Sequence, residues 1–147
     1  METFTICLVC ERLNRIPLGG GSVKVTNCGG CKLDLSFRDG VTDANAKGLK
    51  ALISKSPNPV IVNFESTKSE GTKTYSSTFI DVAMQWCGQV TFVKINLDKE
   101  PAVGEQYKVW STPQTVMFRN EAEVSRKSGV ISQADLTAWI RGFLASY

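Results

Sequence analysis

Five cysteines and no histidine set the chemistry open to this chain. They are Cys7, Cys10, Cys28, Cys31 and Cys87, and the first four form two Cys-x2-Cys knuckles seventeen residues apart. A two-residue spacer lets one tight turn aim both sulfurs at a single ion, and a second knuckle closes the tetrahedron. The spacing therefore predicts a zinc ribbon with Cys7, Cys10, Cys28 and Cys31 as ligands. Gly29 and Gly30 fill the second knuckle, where a backbone with positive φ is expected. Four sulfurs leave no open coordination position, so such an ion stabilises rather than catalyses. A ribbon of about thirty residues buries too little apolar surface to fold alone, and metal binding supplies on the order of 10 kcal/mol in modules of this kind. The rival use of the same thiols is cycling between dithiol and disulfide, with zinc released on oxidation. Cys87 lies between Trp86 and Gly88 with no basic neighbour to lower its pKa, and reads as a packing thiol.

The missing histidine excludes Ser-His-Asp and Cys-His mechanisms. A formal charge of +3 over 147 residues is mild, and a tetrathiolate zinc site would lower it to about +1. Arg12, Arg15, Lys24, Lys32 and Arg38 around the ribbon then read as a solvated face, and nucleic acid is not an expected partner. No apolar run reaches the ~20 residues of a membrane span. The first residues lack a basic n-region, so neither a membrane segment nor a signal peptide is expected. The expected location is cytoplasmic, where paired cysteines hold metal rather than form disulfides.

The elements that must position these residues read as a ribbon over 1–33, a connector over 34–42 and an α/β domain over 43–147. Asp43 is expected to cap a helix reaching about Ser54. Val60-Ile61-Val62-Asn63-Phe64 is a continuous apolar run, the mark of a strand covered on both faces. The polar loop ESTKSEGTKTY, Glu65 to Tyr75, leads into a helix ending near Trp86. Within it, Thr67-Lys68-Ser69-Glu70 has the form of a capping box, and Gly88 is expected as the C-cap. Strands follow over Val90–Leu97, Thr115–Phe118 and Val124–Val130, with a short helix near Pro101 and a hairpin turn at Arg119-Asn120-Glu121. Leu136, Trp139, Ile140, Phe143 and Leu144 stripe a last helix. The order αβαβαββα predicts an α/β sandwich around a mixed central sheet.

These residues resemble a known family. From about Thr42 onward the chain looks like a thioredoxin. With the ribbon included, it resembles the zinc-containing second thioredoxins of bacteria. Cys7 to Pro17, CLVCERLNRIP, is similar to that family's opening. Val60 to Phe64 sits where the family has V-V-I-D-F, and Thr91 to Asn96 where it has its V-K-x-N-type strand. Ser111-Thr112-Pro113 matches the cis-proline turn, and Gly129 lies near a late glycine. The family's active loop reads W-C-G-P-C-K/R. The matching positions here are Lys68, Ser69, Glu70, Gly71, Thr72 and Lys73. The resemblance thus implies that both redox cysteines are replaced, by Ser69 and Thr72, and that the family's buried aspartate is Asn63 and its tryptophan Glu65.

Disulfide exchange needs a thiolate to attack and a second thiol to resolve the mixed disulfide. A hydroxyl at a helix N-terminus stays a hydroxyl. The expected function is therefore a non-catalytic binding module, chaperone-like or part of a complex, with one structural zinc per chain. Its partner would be a protein or an extended peptide paired against Ser111, Thr112 and Pro113. Trp110 would serve as an anchor, and Lys68 and Glu70 would make the contact polar. The alternative is a thiol-disulfide oxidoreductase working through the ribbon cysteines or Cys87.

Overall fold

The computed structural model describes residues 2–17 and 27–146. Lys24 lies outside them. The elements are β1 (Glu2–Ile6), β2 (Leu13–Pro17), β3 (Phe37–Arg38), β4 (Val41–Asp43), α1 (Ala46–Lys55), β5 (Val60–Glu65), α2 (Thr72–Trp86), β6 (Thr91–Asn96), α3 (Pro101–Gln106), β7 (Gln114–Arg119), β8 (Ala122–Ser128) and α4 (Gln133–Ser146). β1 and β2 form an antiparallel ribbon, while β3-β4-β6-β5-β7-β8 form a six-stranded sheet. β5 runs parallel to β6 and antiparallel to β7, so the sheet is mixed, as the element order implies.

β5 lies inside this sheet, and its first five residues are buried. Its side chains alternate between two cores. Val60, Val62 and Phe64 pack with Leu49 and Leu52 of α1 and Val103 of α3. Ile61 packs on the other face with Tyr75, Phe79 and Val82 of α2 and Leu136 and Ile140 of α4. Asn63 and Glu65 share parity with Ile61 and therefore face the α2 side. Two covered faces explain the unbroken apolar run.

Several boundaries differ from the sequence expectation for local reasons. Asp43 ends β4, and Asn45 caps α1 instead, its side chain accepting from the Gly48 amide at 2.8 Å. The stretch 34–42, expected as a connector, supplies β3 and most of β4. Asp39 and Gly40, at φ 55° and 82°, turn the chain between them. Asn120 and Glu121, at φ 51° and 70°, make the two-residue turn between β7 and β8, the pairing of positive φ values that matches strand twist. Cys87, not Gly88, is the C-cap of α2.

The ribbon packs against the domain. Thr5 and Thr42 share a buried hydroxyl hydrogen bond of 2.6 Å, and Ile6 and Leu8 join the α1-side core. Gly48 makes room: a Cβ there would lie 2.4 Å from Leu8 Cδ2. No helix among the described residues is long and apolar enough to cross a membrane.

Candidate metal centre and candidate binding site

The two knuckles share one backbone design. The Cys7 amide donates to Arg12 O at 3.0 Å and the Glu11 amide returns to Cys7 O at 2.9 Å. In the second knuckle Cys28 donates to Leu33 O at 2.8 Å and Lys32 returns to Cys28 O at 3.0 Å. Closing such a loop demands a left-handed residue after the second cysteine. Those residues are Glu11, at φ 62°, and Lys32, at φ 68°. Gly29 and Gly30, where positive φ was expected, do not supply it. Their lack of a side chain serves proximity instead: a Cβ on Gly30 would fall 2.9 Å from Arg12 Cδ, and the Gly29 amide donates to Asn14 Oδ1 at 2.9 Å.

The loops gather the Sγ atoms of Cys7, Cys10, Cys28 and Cys31 within 4.8 Å of one another. Cys7–Cys31 and Cys10–Cys28 are each 3.6 Å apart. A tetrahedron with metal–sulfur bonds of ~2.3 Å has an edge of ~3.8 Å, so the four sulfurs are close enough to hold a metal ion. Donors surround Cys28 Sγ: the Gly30 amide at 3.4 Å and Asn14 Nδ2 at 3.6 Å. The Cys31 amide, followed by those of Gly30 and Asn14, draws the Cys28 thiol down to about 6 against the opposing effect of burial. The Cys10 amide, with Val9's, likewise lowers Cys7. Such donors stabilise the thiolates of Cys7 and Cys28, the form a metal binds, while, against the lowering effect of the Leu33 amide, burial and the three neighbouring sulfurs push Cys31 up to about 11. Cys87 sits apart, buried at the end of α2, where desolvation raises its pKa.

The second site lies where β5 hands over to α2. The turn Ser66–Gly71 faces Thr112-Pro113, a cis peptide, and Ser69 Oγ is hydrogen-bonded to Thr112 Oγ1. Thr72 opens α2, buried, its Oγ1 without a hydrogen-bond partner. Thr67 does not cap the helix, which starts too late for the expected capping box. Gly71 is the N-cap, at φ 80°, and a Cβ there would lie 2.6 Å from Val130 Cγ2. Thr67 instead binds Asp98 through its amide at 2.9 Å and its hydroxyl at 2.7 Å, and Ser66 Oγ donates to the same carboxylate at 2.7 Å. The Ser66 hydroxyl first, then Thr67, holds Asp98 down to about 2.

Beneath the turn, Asn63 is 1% exposed. Its Nδ2 donates to Glu65 Oε2 at 3.2 Å, while its Oδ1 has no partner. Burial raises the pKa of Glu65. A cavity of about 490 Å³ opens here, lined by residues including Glu65, Ser69, Thr72 and Ile80. Trp110 is 76% exposed, Pro113 is buried, and Lys68, Glu70 and Ser111 are exposed. Sequence reasoning missed the Asp98 anchor and the Asn63–Glu65 contact. The first joins residues 31 or 32 positions apart and leaves no local pattern; the second follows from the two residues sharing one face of β5.

A family model for thioredoxin matches residues 40–142. The chain belongs to the thioredoxin family. Among its relatives, Thioredoxin C-3 of Corynebacterium nephridii is 28% identical over 135 residues, 92% of this chain and 91% of that protein. So long a match must take in part of the cysteine-bearing ribbon. The thioredoxin-like protein slr0233 of Synechocystis is 31% identical over 63% of this chain and 89% of its own length. The chloroplastic M-type thioredoxin of spinach is 25% identical over 78% of this chain, which spans 63% of that longer relative. A solved malarial protein superimposes with a TM-score of 0.55 at 20% identity, covering 58% of this chain and 96% of that one, a likeness of fold. This thioredoxin-family chain therefore combines the family's domain with a ribbon whose four cysteines converge.

Proposed function

We propose that this thioredoxin-family protein acts by holding a partner rather than by exchanging disulfides. The observation that carries the reading is the contact at the head of α2: the group that meets the cis-proline turn is the hydroxyl of Ser69, bonded to Thr112, and three residues on stands the buried hydroxyl of Thr72. Resemblance puts the family's two redox cysteines at these positions. Neither hydroxyl ionises near neutral pH or forms a disulfide. The one cysteine of α2's neighbourhood, Cys87, lies at the far end of a 15-residue helix, about 22 Å away at 1.5 Å per residue. The surface left around Pro113 suits an extended segment of a protein partner, with exposed Trp110 as its aromatic anchor and Lys68 and Glu70 at its rim.

We further propose that Cys7, Cys10, Cys28 and Cys31 bind one zinc ion with a structural role. The sulfur spacing and the set of four thiols support it, and closed tetrathiolate coordination adds folding energy to a small ribbon. A cytoplasmic, reducing location fits these thiols.

The test is insulin-disulfide reduction driven by dithiothreitol. The wild-type protein should add nothing to the thiol background, and the Ser69→Cys/Thr72→Cys double variant should gain activity. Wild-type turnover that disappears in Cys10→Ser or Cys87→Ser would instead establish an oxidoreductase working through those thiols. Elemental analysis should find one zinc per chain.

A further inference from the structure

We infer that Arg126 is a positioning residue that presents Trp110 and the cis-proline turn from behind. The inference rests on the binding reading for its purpose, but its geometry stands alone. Arg126 projects from β8 onto the C-terminus of α3. Its Nη2 donates to Tyr107 O at 2.7 Å and its Nη1 to Lys108 O at 2.8 Å. Nε and Nη2 also grip the two oxygens of Glu123 at 2.9 and 2.7 Å. With the Gln114 amide oriented to satisfy both its neighbours, Gln114 O accepts from Arg126 Nη1 at 3.2 Å and its nitrogen donates to Ser111 O at 3.3 Å. All five guanidinium N–H groups are then used, a count and a planar fork that lysine does not possess.

The consequence lies between the pinned carbonyls. The backbone is tied at Tyr107 and Lys108 by Arg126 and at Ser111 by Gln114, itself held by Arg126. Lys108 turns the chain at φ 56°, and the Val109 amide donates to Gly104 O at 2.8 Å. Val109 plugs the core at 6% exposure, so Trp110 is the residue left to project, at 76%. An exposed aromatic on a fixed backbone is a preorganised anchor: the entropy of ordering the loop is spent in folding and not at the moment of binding. Glu123 keeps the guanidinium aligned and raises its pKa.

The experiment compares Arg126→Gln, Arg126→Lys and Trp110→Ala with wild type. Urea unfolding reports global stability, amide hydrogen exchange reports the loop, and retention of reduced, carboxymethylated lactalbumin, a permanently extended chain, reports binding. Expected in both Arg126 variants is at least a tenfold loss of protection at the Lys108 and Val109 amides, with α2 and β5 amides unchanged. Lactalbumin retention should fall as far as in Trp110→Ala. Should Arg126→Gln not fold, Glu123→Gln loosens the same clamp and should move loop exchange in the same direction. Unchanged exchange at 108–109 in the folded variants overturns the inference. Loosened exchange, with retention indifferent to both Arg126→Gln and Trp110→Ala, keeps the clamp and overturns the binding reading.

Discussion

Replacing Asn63 by aspartate should make stability fall with rising pH, by an amount the surroundings of residue 63 set. The side chain is 1% exposed, its Oδ1 has no partner, and its Nδ2 donates to the carboxylate of Glu65 at 3.2 Å. A protonated aspartate fits this site, because its O–H can take over the donation to Glu65. An ionised one sets two carboxylates together in a desolvated place, with Asp43 adding to the repulsion and Lys94, its register neighbour on β6, opposing it. Burial alone raises carboxyl pKa values by up to 3–5 units. Allowing for Lys94, a rise of about 2–3 units above the unfolded ~3.9 is expected, which at 1.36 kcal/mol per unit costs about 3–4 kcal/mol at pH 7. The sign follows from proton binding. The folded state holds the proton more tightly, so Asn63→Asp matches wild type below about pH 4. It then loses ~1.4 kcal/mol per pH unit until the raised folded pKa is passed. Urea unfolding from pH 4 to 8, expressed as the difference from wild type, checks it. A pH-independent difference, or equal stability at pH 7, would refute the argument that this pocket rejects a charge.

Three further outcomes follow from neighbouring features. Thr72→Val should raise stability by about 1 kcal/mol in urea titration, since it keeps the shape and removes a buried hydroxyl without a partner. Cys28→Ser should lower metal content below one ion per chain and strip exchange protection from β1 and β2, while β5 and α2 amides stay protected. Gly48→Ala adds a Cβ 2.4 Å from Leu8 Cδ2 and should destabilise by about 1 kcal/mol, overpacking outweighing helix propensity. In a Leu8→Ala background the same change should cost less, with only Asn45 Oδ1 at 3.1 Å and Ile6 Cγ2 at 3.4 Å still close to the added Cβ, and a double-mutant cycle with no coupling would refute the Leu8–Gly48 contact.

What the sequence revealed depended on whether the signal was local. β5 was legible because burial on both faces writes itself as an unbroken apolar run. The four ribbon cysteines were legible because a knuckle's geometry fixes its spacing. β3 and β4 were not, since strands of two and three residues carry no periodicity, although Asp39-Gly40 between them is a hairpin signal in its own right. The start of α2 was misplaced because Thr67 and Glu70 satisfy a capping pattern that Asp98 overrides from another loop. The Arg126 clamp joins residues 18 and 19 positions away and leaves no trace in either segment.

The distribution of unmet polar atoms bears on how the proposed function arose. Among the described residues, the buried side-chain atoms without a partner are Asn58 Nδ2, Asn63 Oδ1 and Thr72 Oγ1. Two of the three belong to positions that the resemblance assigns to the family's proton carrier and resolving thiol. A buried hydroxyl or amide left unpaired costs about 1–3 kcal/mol, whereas an apolar residue of the same shape would not. A pocket shaped only by stability would have filled with such residues. Polar atoms at both positions, with a cavity open between Ser69 and Thr72, are what the replacements implied by the resemblance would leave behind: asparagine for aspartate, serine and threonine for cysteine. On the proposed reading, the chain lacks the reagents and retains the cis-proline turn, with a cavity beside Ser69 and the exposed Trp110 next to it. Those are the parts that grip a chain, and the parts a holding function still requires.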